Sequence, residues 1–320
     1  MQFRPVYKDY IWGGDKMVRR YKRQHTPEIC AESWEIADRP EGMSMVVNGP
    51  LAGQDLFSLM KAYGESLTGR PCREFPLLVK IIDARQKLSV QVHPDEEGAQ
   101  QTGGDPKTEM WYVLEAEKKA EVYAGFKPGV TLHSFKDALK QGQIANLLQN
   151  VPVEKGDVIF IPGGRVHAIG EGCLMLEVMQ NSDTTFRLFD WNRLGRDGKP
   201  RPLQVSKALK VIRWEDASPV KIPAASRPLE YDHDGNGVGK LLETPFFKFE
   251  KTVVAGSLAC AASGKTFHAL FAEEGSVELA AASLKIRLEA GQTVLVPAAL
   301  PEYSLASRNG PAVILRISLP

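Results

Sequence analysis

The most regular pattern in the chain is a two-residue alternation at positions 88–93 (LSVQVH). Leu88, Val90 and Val92 alternate there with Ser89, Gln91 and His93. A period of two puts the apolar set on one face of a strand and the polar set on the other. Pro94 ends the strand, since proline has no N–H to give to a ladder. Just ahead lies PLLVKIIDA (76–84), a short apolar run with a lone Lys80 inside it, so 76–93 reads as strand, turn, strand. Residues 109–126 give two more strands around a polar turn at 117–119, and residues 32–36 give a short one. GDVIFIPGGRVHAIG (156–170) reads as strand, Pro-Gly-Gly turn and strand, and CLMLEVMQ (173–180) as a further strand. The period lengthens in three places. Leu56, Leu59, Met60 and Tyr63 set a helical rhythm within 53–66; 131–150 reads as a helical insertion; 203–216 reads as a short helix. Residues 217–240, with Pro, Ser, Asp and Gly, read as a linker, and strands and turns return from about 245 to the end.

One segment is echoed. Gly156-Asp157-Val158-Ile159-Phe160-Ile161-Pro162 resembles Gly291-Gln292-Thr293-Val294-Leu295-Val296-Pro297, and strands flank both copies. A glycine turn leading into an apolar strand that ends at proline, with a histidine after it, has the look of a cupin half-motif. Eleven residues after the first glycine stands His167; the same count in the second copy reaches Glu302, with no Gln-x-His pair before it. The chain is therefore expected to be mainly β, with two cupin-type jelly-roll barrels and a helical insertion. The expected division is a catalytic domain with helical segments at 1–235 and a barrel lacking metal ligands at 236–320.

Composition narrows the class. The 320 residues are 43% hydrophobic and 25% charged, as in ordinary globular proteins. A formal net charge of +1 gives no nucleic-acid footprint, and no apolar run reaches membrane-span length. The N-terminal MQFRPVYKDYIWGG lacks the apolar core of a signal peptide. Cys30, Cys72, Cys173 and Cys260 are scattered without a CxxC pair, which favours reduced thiols and a cytoplasmic protein. A monomer or weak homo-oligomer with a small-molecule partner is the expectation.

The candidate chemistry lies on the polar faces. Gln91 and His93, then Glu109, then His167 together offer an amide oxygen, two imidazoles and a carboxylate. Two histidines and a carboxylate with room for water suit a catalytic zinc ion, and the same set with iron suits oxygen chemistry. Cations stand nearby in sequence: Lys80, Lys107 two residues before Glu109, and Arg187 in TTFRLFDW. Lys80, in an apolar strand, needs either a carboxylate partner or an anionic substrate such as a phosphate. No Gly-rich loop is followed by GK[ST], so a nucleotide loop is absent.

These blocks resemble a known family. Lys80, QVHPD (91–95), KTEMWYV (107–113), PGGRVHAIG (162–170) and EVMQNSDTTFRLFDW (177–191) look like type I mannose-6-phosphate isomerase of the short bacterial kind. IWGG (11–14) and ESWEIAD (32–38) fit the same family, and the last eighty or so residues match least. The resemblance implies one Zn2+ per chain on Gln91, His93, Glu109 and His167. It implies catalytic roles for Arg187, Glu177 and Lys107, and substrate contacts for Ser89 and Lys80. The implied reaction interconverts mannose 6-phosphate and fructose 6-phosphate through a cis-enediol, with Glu177, Lys107 and a zinc-bound water all open as the proton carrier. Ser33, Trp34 and Glu35 read as structural, and Trp111 and Tyr112 as pocket wall. Two other readings remain from the residues alone: an iron-dependent cupin oxygenase, and a sugar-phosphate sensor without turnover.

Overall fold

The computed structural model describes residues 1–23, 29–262 and 264–320; His25 lies outside them. Contacts group the chain into two compact units, one of Met1–Val6, Trp34–Leu78 and Ala225–Pro320, the other of Tyr7–Ser33 and Val79–Ala224. The grouping interleaves segments, where the sequence suggested a single cut at 235/236.

The site lies in the second of these units. Its main strands are β1 (Leu77–Ala84), β2 (Val90–Val92), β3 (Glu109–Ala116), β4 (Glu121–Phe126), β5 (Leu148–Pro152), β6 (Val158–Ile161), β7 (His167–Ile169), β8 (Cys173–Gln180) and β9 (Phe186–Phe189). A seven-stranded sheet runs in the order Lys221–Ile222, β6, β3, β8, β1, Glu32–Ile36, Val6–Lys8, and a five-stranded sheet in the order β9, β2, β7, β4, β5. Their inner faces share one core, in which Trp111, Val113, Ile159 and Met175 from the first sheet meet Val122, Ala124 and Ile169 from the second. The outer face of the five-stranded sheet carries a second core. Val90, Val92, Ala168, Phe186 and Leu188 pack there against Phe135 of helix Leu132–Lys140 and Ala208 and Val211 of helix Val205–Val211. Gln91, His167 and Arg187 alternate with these residues along their strands and so face inward.

The alternation at 88–93 holds for Val90 and Val92, but Leu88 packs into the inner core instead. The strand proper is only Val90–Val92, so the pleat does not extend back to Leu88. The helical insertion stops earlier than its pattern suggested. Helix Leu132–Lys140 and a 3-10 turn Ile144–Leu147 give way to β5, which pairs with β4. The expected linker also contributes strands, since Lys221 and Ile222 pair with Ile159 and Val158. Two short helices escaped the pattern, Lys16–Tyr21 and Glu96–Thr102. The second is started by Asp95, whose carboxylate accepts the Gly98 N–H at 2.8 Å.

The other unit contributes β10 (Lys248–Val254), β11 (Ser257–Ala261), β12 (His268–Glu274), β13 (Ser276–Ala281), β14 (Leu284–Glu289), β15 (Thr293–Val296), β16 (Glu302–Ser307) and β17 (Ala312–Ser318). One sheet runs Glu230–Tyr231, Gly237–Glu243, β10, β17, β12, β15, and the other β11, β16, β13, β14. Leu270, Val294 and Ile314 of the first meet Val277, Leu279 and Leu305 of the second in one apolar core.

Strand order repeats between the units. The run β6–β3–β8–β1 is matched by β15–β12–β17–β10, and β2–β7–β4–β5 by β11–β16–β13–β14. The echoed heptapeptides fall on β6 and β15, which hold equivalent edge-side places beside β3 and β12. The residue turned inward at the start of β16 is Tyr303, 4% exposed, while Glu302 faces solvent. A shift of one residue changes the face of a strand, so the eleven-residue count chose the wrong neighbour. Among the described residues no helix is long and apolar enough to cross a membrane, and all four cysteines are free thiols.

Candidate metal centre and active site

Register places the site. His167 lies opposite Gln91 across the β7–β2 pair, and Arg187 lies opposite Gln91 on the other side, in β9. Glu109 opens β3 in the facing sheet, opposite Ile161. His93 follows β2, held where the Gly164 N–H donates to its carbonyl at 2.8 Å. The sequence-predicted donors thus converge from two sheets. His93, Glu109 and His167 bring one ligand atom each within 4.8 Å of one another, and all three are buried.

The ring orientations are fixed from behind. His93 Nδ1 sits 2.9 Å from the Thr184 carbonyl oxygen, and His167 Nδ1 sits 2.8 Å from the Arg165 carbonyl oxygen. A carbonyl only accepts, so each Nδ1 carries the hydrogen and each Nε2 turns a lone pair toward Glu109. His93 Nε2 lies 3.4 Å from Glu109 Oε2, and His167 Nε2 lies 3.4 Å from Glu109 Oε1. His93 Nε2 and both Glu109 oxygens are buried without a hydrogen bond. Orphaned buried acceptors in a native fold call for an ion or water between them. Burial, and then Lys107, lowers the pKa of His93; burial lowers that of His167 to about 3, so both imidazoles stay neutral. Burial alone would raise the pKa of Glu109, but Lys107 and the histidines outweigh it and hold the carboxylate well below its usual range. Neutral imidazoles beside an ionised carboxylate are the protonation states a divalent cation requires. The residues therefore fit a metal ion. Gln91 stands beside them, its amide nitrogen 3.3 Å from His167 Nε2 and its Oε1 accepting from Ser89 at 3.2 Å; turning the amide over would aim the oxygen at the histidines.

A chain of charges surrounds this set. Lys107 Nζ is 3.1 Å from Glu109 Oε2. Lys80, 4% exposed, lies 3.4 Å from Glu177 Oε2 and 3.5 Å from Glu32 Oε2. Burial would lower its pKa, but Glu32 and Glu177 more than offset this and the ammonium is held charged. Lys80 thus has the carboxylate partners that one of its two sequence readings asked for. Glu177 also accepts the Trp111 indole N–H at 2.9 Å, and burial and the nearby Glu109 raise its pKa. Arg187 Nε donates to Ser89 Oγ at 3.2 Å, and its Nη1 to the Pro202 carbonyl at 3.1 Å. Burial, with Arg201, lowers its pKa from the usual guanidinium value. Arg201 and Arg193 share Asp190, so a cationic rim stands beside Arg187 in the sequence and in the field.

The sequence reading missed several parts. Glu32 had no assigned role, although it flanks Lys80. Trp111 was taken as wall, yet its indole N–H orients Glu177. Thr184 and Arg165 act through carbonyls, which no side-chain pattern reveals. Trp34 is 1% exposed, in line with its structural reading.

A mainly β, two-sheet fold with a buried His-Glu-His set that could hold a metal ion is of the cupin-like kind. The model of the type I phosphomannose isomerase catalytic domain matches residues 1–138. The mannose-6-phosphate isomerase ManA of Bacillus subtilis is 33% identical over 308 residues, covering 95% of this chain and 94% of that one. The mannose-6-phosphate isomerase of Streptococcus mutans is 34% identical over 249 residues, 78% of this chain and 77% of that one. A crystal structure of the Bacillus subtilis mannose 6-phosphate isomerase superposes with a TM-score of 0.90 at 28% identity, covering 99% of this chain and 98% of that one. The chain belongs to the type I mannose-6-phosphate isomerase family and is an enzyme of that family.

Proposed function

We propose that this enzyme interconverts mannose 6-phosphate and fructose 6-phosphate through a cis-enediol, with one zinc ion held by Gln91, His93, Glu109 and His167. The observation that carries the reading is the orphaned buried atoms of His93 and Glu109, converging with His167 Nε2, next to a buried, proton-competent Glu177. A bound divalent ion would supply Lewis acidity to the substrate oxygens as charge develops on them.

The chain's own groups do the rest. Glu177 is the preferred proton carrier between C1 and C2, because its raised pKa brings a carboxylate toward the operating pH. Trp111 and Lys80 fix its two oxygens and so its orientation. Lys107 keeps Glu109 ionised and is placed to donate toward a substrate oxygen. Arg187 stabilises negative charge on the open-chain sugar, with Ser89 holding its Nε. Ser89 is a substrate contact in this reading; Lys80 contributes through Glu177, and its direct contact with the sugar phosphate is the weaker half of its role. All of these residues fall within 1–235, so we assign catalysis to that stretch and none of the metal ligands to 236–320.

Turnover in deuterated water tests the mechanism. Proton transfer through an enediol puts solvent deuterium at C1 of fructose 6-phosphate made from mannose 6-phosphate, and Glu177→Gln slows that incorporation and turnover together. Complete retention of the substrate hydrogen during fast turnover would indicate a hydride shift and contradict the proposal.

A further inference from the structure

The repeated strand order gives each site residue a counterpart in the C-terminal unit. Glu109 opens β3 opposite Ile161, and His268 opens β12 opposite Val296. Glu177 lies opposite Trp111, two residues into β3, and Arg316 lies opposite Leu270, two residues into β12. His167 faces Gln91, and Tyr303 faces Cys260. The Lys80–Glu177 ion pair has its match in Glu250–Arg316, at 2.9 Å, with the charges exchanged between strands. Lys248, one-third exposed, is 3.2 Å from the other Glu250 oxygen.

Exchanging these residues reverses the hydrogen-bond polarity. His268 Nδ1 is 2.8 Å from the Tyr303 hydroxyl, where the histidines of the metal centre face carbonyls. The Arg316 guanidinium and the Cys260 thiol also stand beside that phenol. A guanidinium only donates, and an imidazole nitrogen at 2.8 Å is a stronger acceptor than the Cys260 sulfur, so the tyrosine hydrogen is directed to His268 Nδ1. Burial raises the pKa of Tyr303 and lowers that of His268 to about 4, which keeps the phenol protonated and the imidazole neutral. His268 then carries its hydrogen on Nε2, which has no protein hydrogen bond among the described residues. Where the first site presents lone pairs to a cation, this one presents an N–H, a guanidinium and an ammonium. Lys248 and Arg316 share Glu250, and Glu243, opposite Lys248 in register, is paired with Lys240, so one positive charge is in excess. The Arg316 side chain keeps 19% of its surface exposed, so the cluster is reachable from solvent.

We propose that the C-terminal unit binds a phosphate group at the cluster of Lys248, Arg316, His268 and Tyr303, in the place that the metal centre holds in the other unit. The phosphate oxygens accept from His268 Nε2, the free guanidinium nitrogens of Arg316 and Lys248 Nζ. The donor of that group is either free inorganic phosphate or a phosphorylated sugar.

The test uses the full chain with 15N-labelled histidine, the His268 ring signals being assigned by their loss in His268→Gln. Without ligand, His268 should show a hydrogen on Nε2 and none on Nδ1. Inorganic phosphate and fructose 6-phosphate are titrated separately. A saturable His268 shift with either supports the site, and the tighter of the two names the source. Lys248→Met, which keeps the aliphatic length of a partly exposed side chain, weakens binding about fivefold to tenfold, as for loss of one charge-assisted hydrogen bond. Arg316→Gln weakens it further. A His268 signal unmoved by either ligand at about 10 mM, beyond ordinary weak binding, overturns the proposal. So does a shift of equal size and midpoint in Lys248→Met.

Discussion

Glu109 meets Lys107, His93 and His167 within 3.4 Å, yet neither of its oxygens finds a hydrogen bond. Lys107 offsets part of the cost of burying this carboxylate, and a cation between it and the histidines would offset more. Glu109→Gln keeps the shape and removes the charge; metal retained on purification should fall by at least about tenfold to a hundredfold, read by elemental analysis. Trp111→Phe removes only the hydrogen bond to Glu177 and keeps the ring. It should lower kcat by roughly tenfold, about 1.4 kcal/mol, with metal content and KM little changed. Normal kcat in that variant would mean that Lys80 alone orients Glu177. At this scale the sequence was informative where polarity broke a pattern. Gln91, His93 and Glu109 stand out because they interrupt or open apolar strands. Glu32 and Glu177 did not announce themselves as partners of Lys80, since they come from distant strands and pairing is a property of the folded sheet.

Among the elements, the turn between β6 and β7 positions His167. Arg165 is 2% exposed and fixes this turn, donating to Asp216 at 3.0 Å through Nη2 and to the Phe160 carbonyl at 2.7 Å through Nη1. Its own carbonyl holds the His167 ring. Arg165→Met leaves Asp216 without its buried partner and should cost about 3 kcal/mol, seen in denaturant unfolding, with a matching loss of metal affinity. In the other unit, His268 links stability to pH. Burial, and then Arg316, lowers its folded pKa to about 4. The unfolded chain, near 6.5, takes up the proton first as the solution is acidified. The contribution of His268 is therefore complete above about pH 6.5 and is lost as pH falls toward 4, by roughly 3 kcal/mol at most. His268→Gln should flatten the stability profile across that window in phosphate-free buffer. Most element types were legible from period, but the short helices Lys16–Tyr21 and Glu96–Thr102 and the ends of elements were not. β5 begins where helical residues appeared to continue, because pairing with β4 decides its backbone. Likewise Lys221 and Ile222 look like linker and become strand only because β6 offers an edge.

For the whole molecule, the eight-strand order recurs in both units, while Glu109, Glu177, His167 and Gln91 are matched by the different residues His268, Arg316, Tyr303 and Cys260. The echo at Gly156–Pro162 and Gly291–Pro297 was the only part of that repetition readable in the sequence. The rest was hidden because a sheet needs only alternating apolar faces, which many residues supply. The site itself is sensitive to single residues: the matched positions carry a set that could hold a metal in one unit and hydrogen-bond donors in the other. The most direct measurement is isomerase turnover of mannose 6-phosphate, with bound metal quantified, for protein as purified, after exhaustive chelation and after zinc is restored. Activity should disappear with the metal and return in proportion to about one zinc per chain, while Glu109→Gln stays inactive at every stage. Full turnover by chelated protein shown to hold no metal would contradict the central claim.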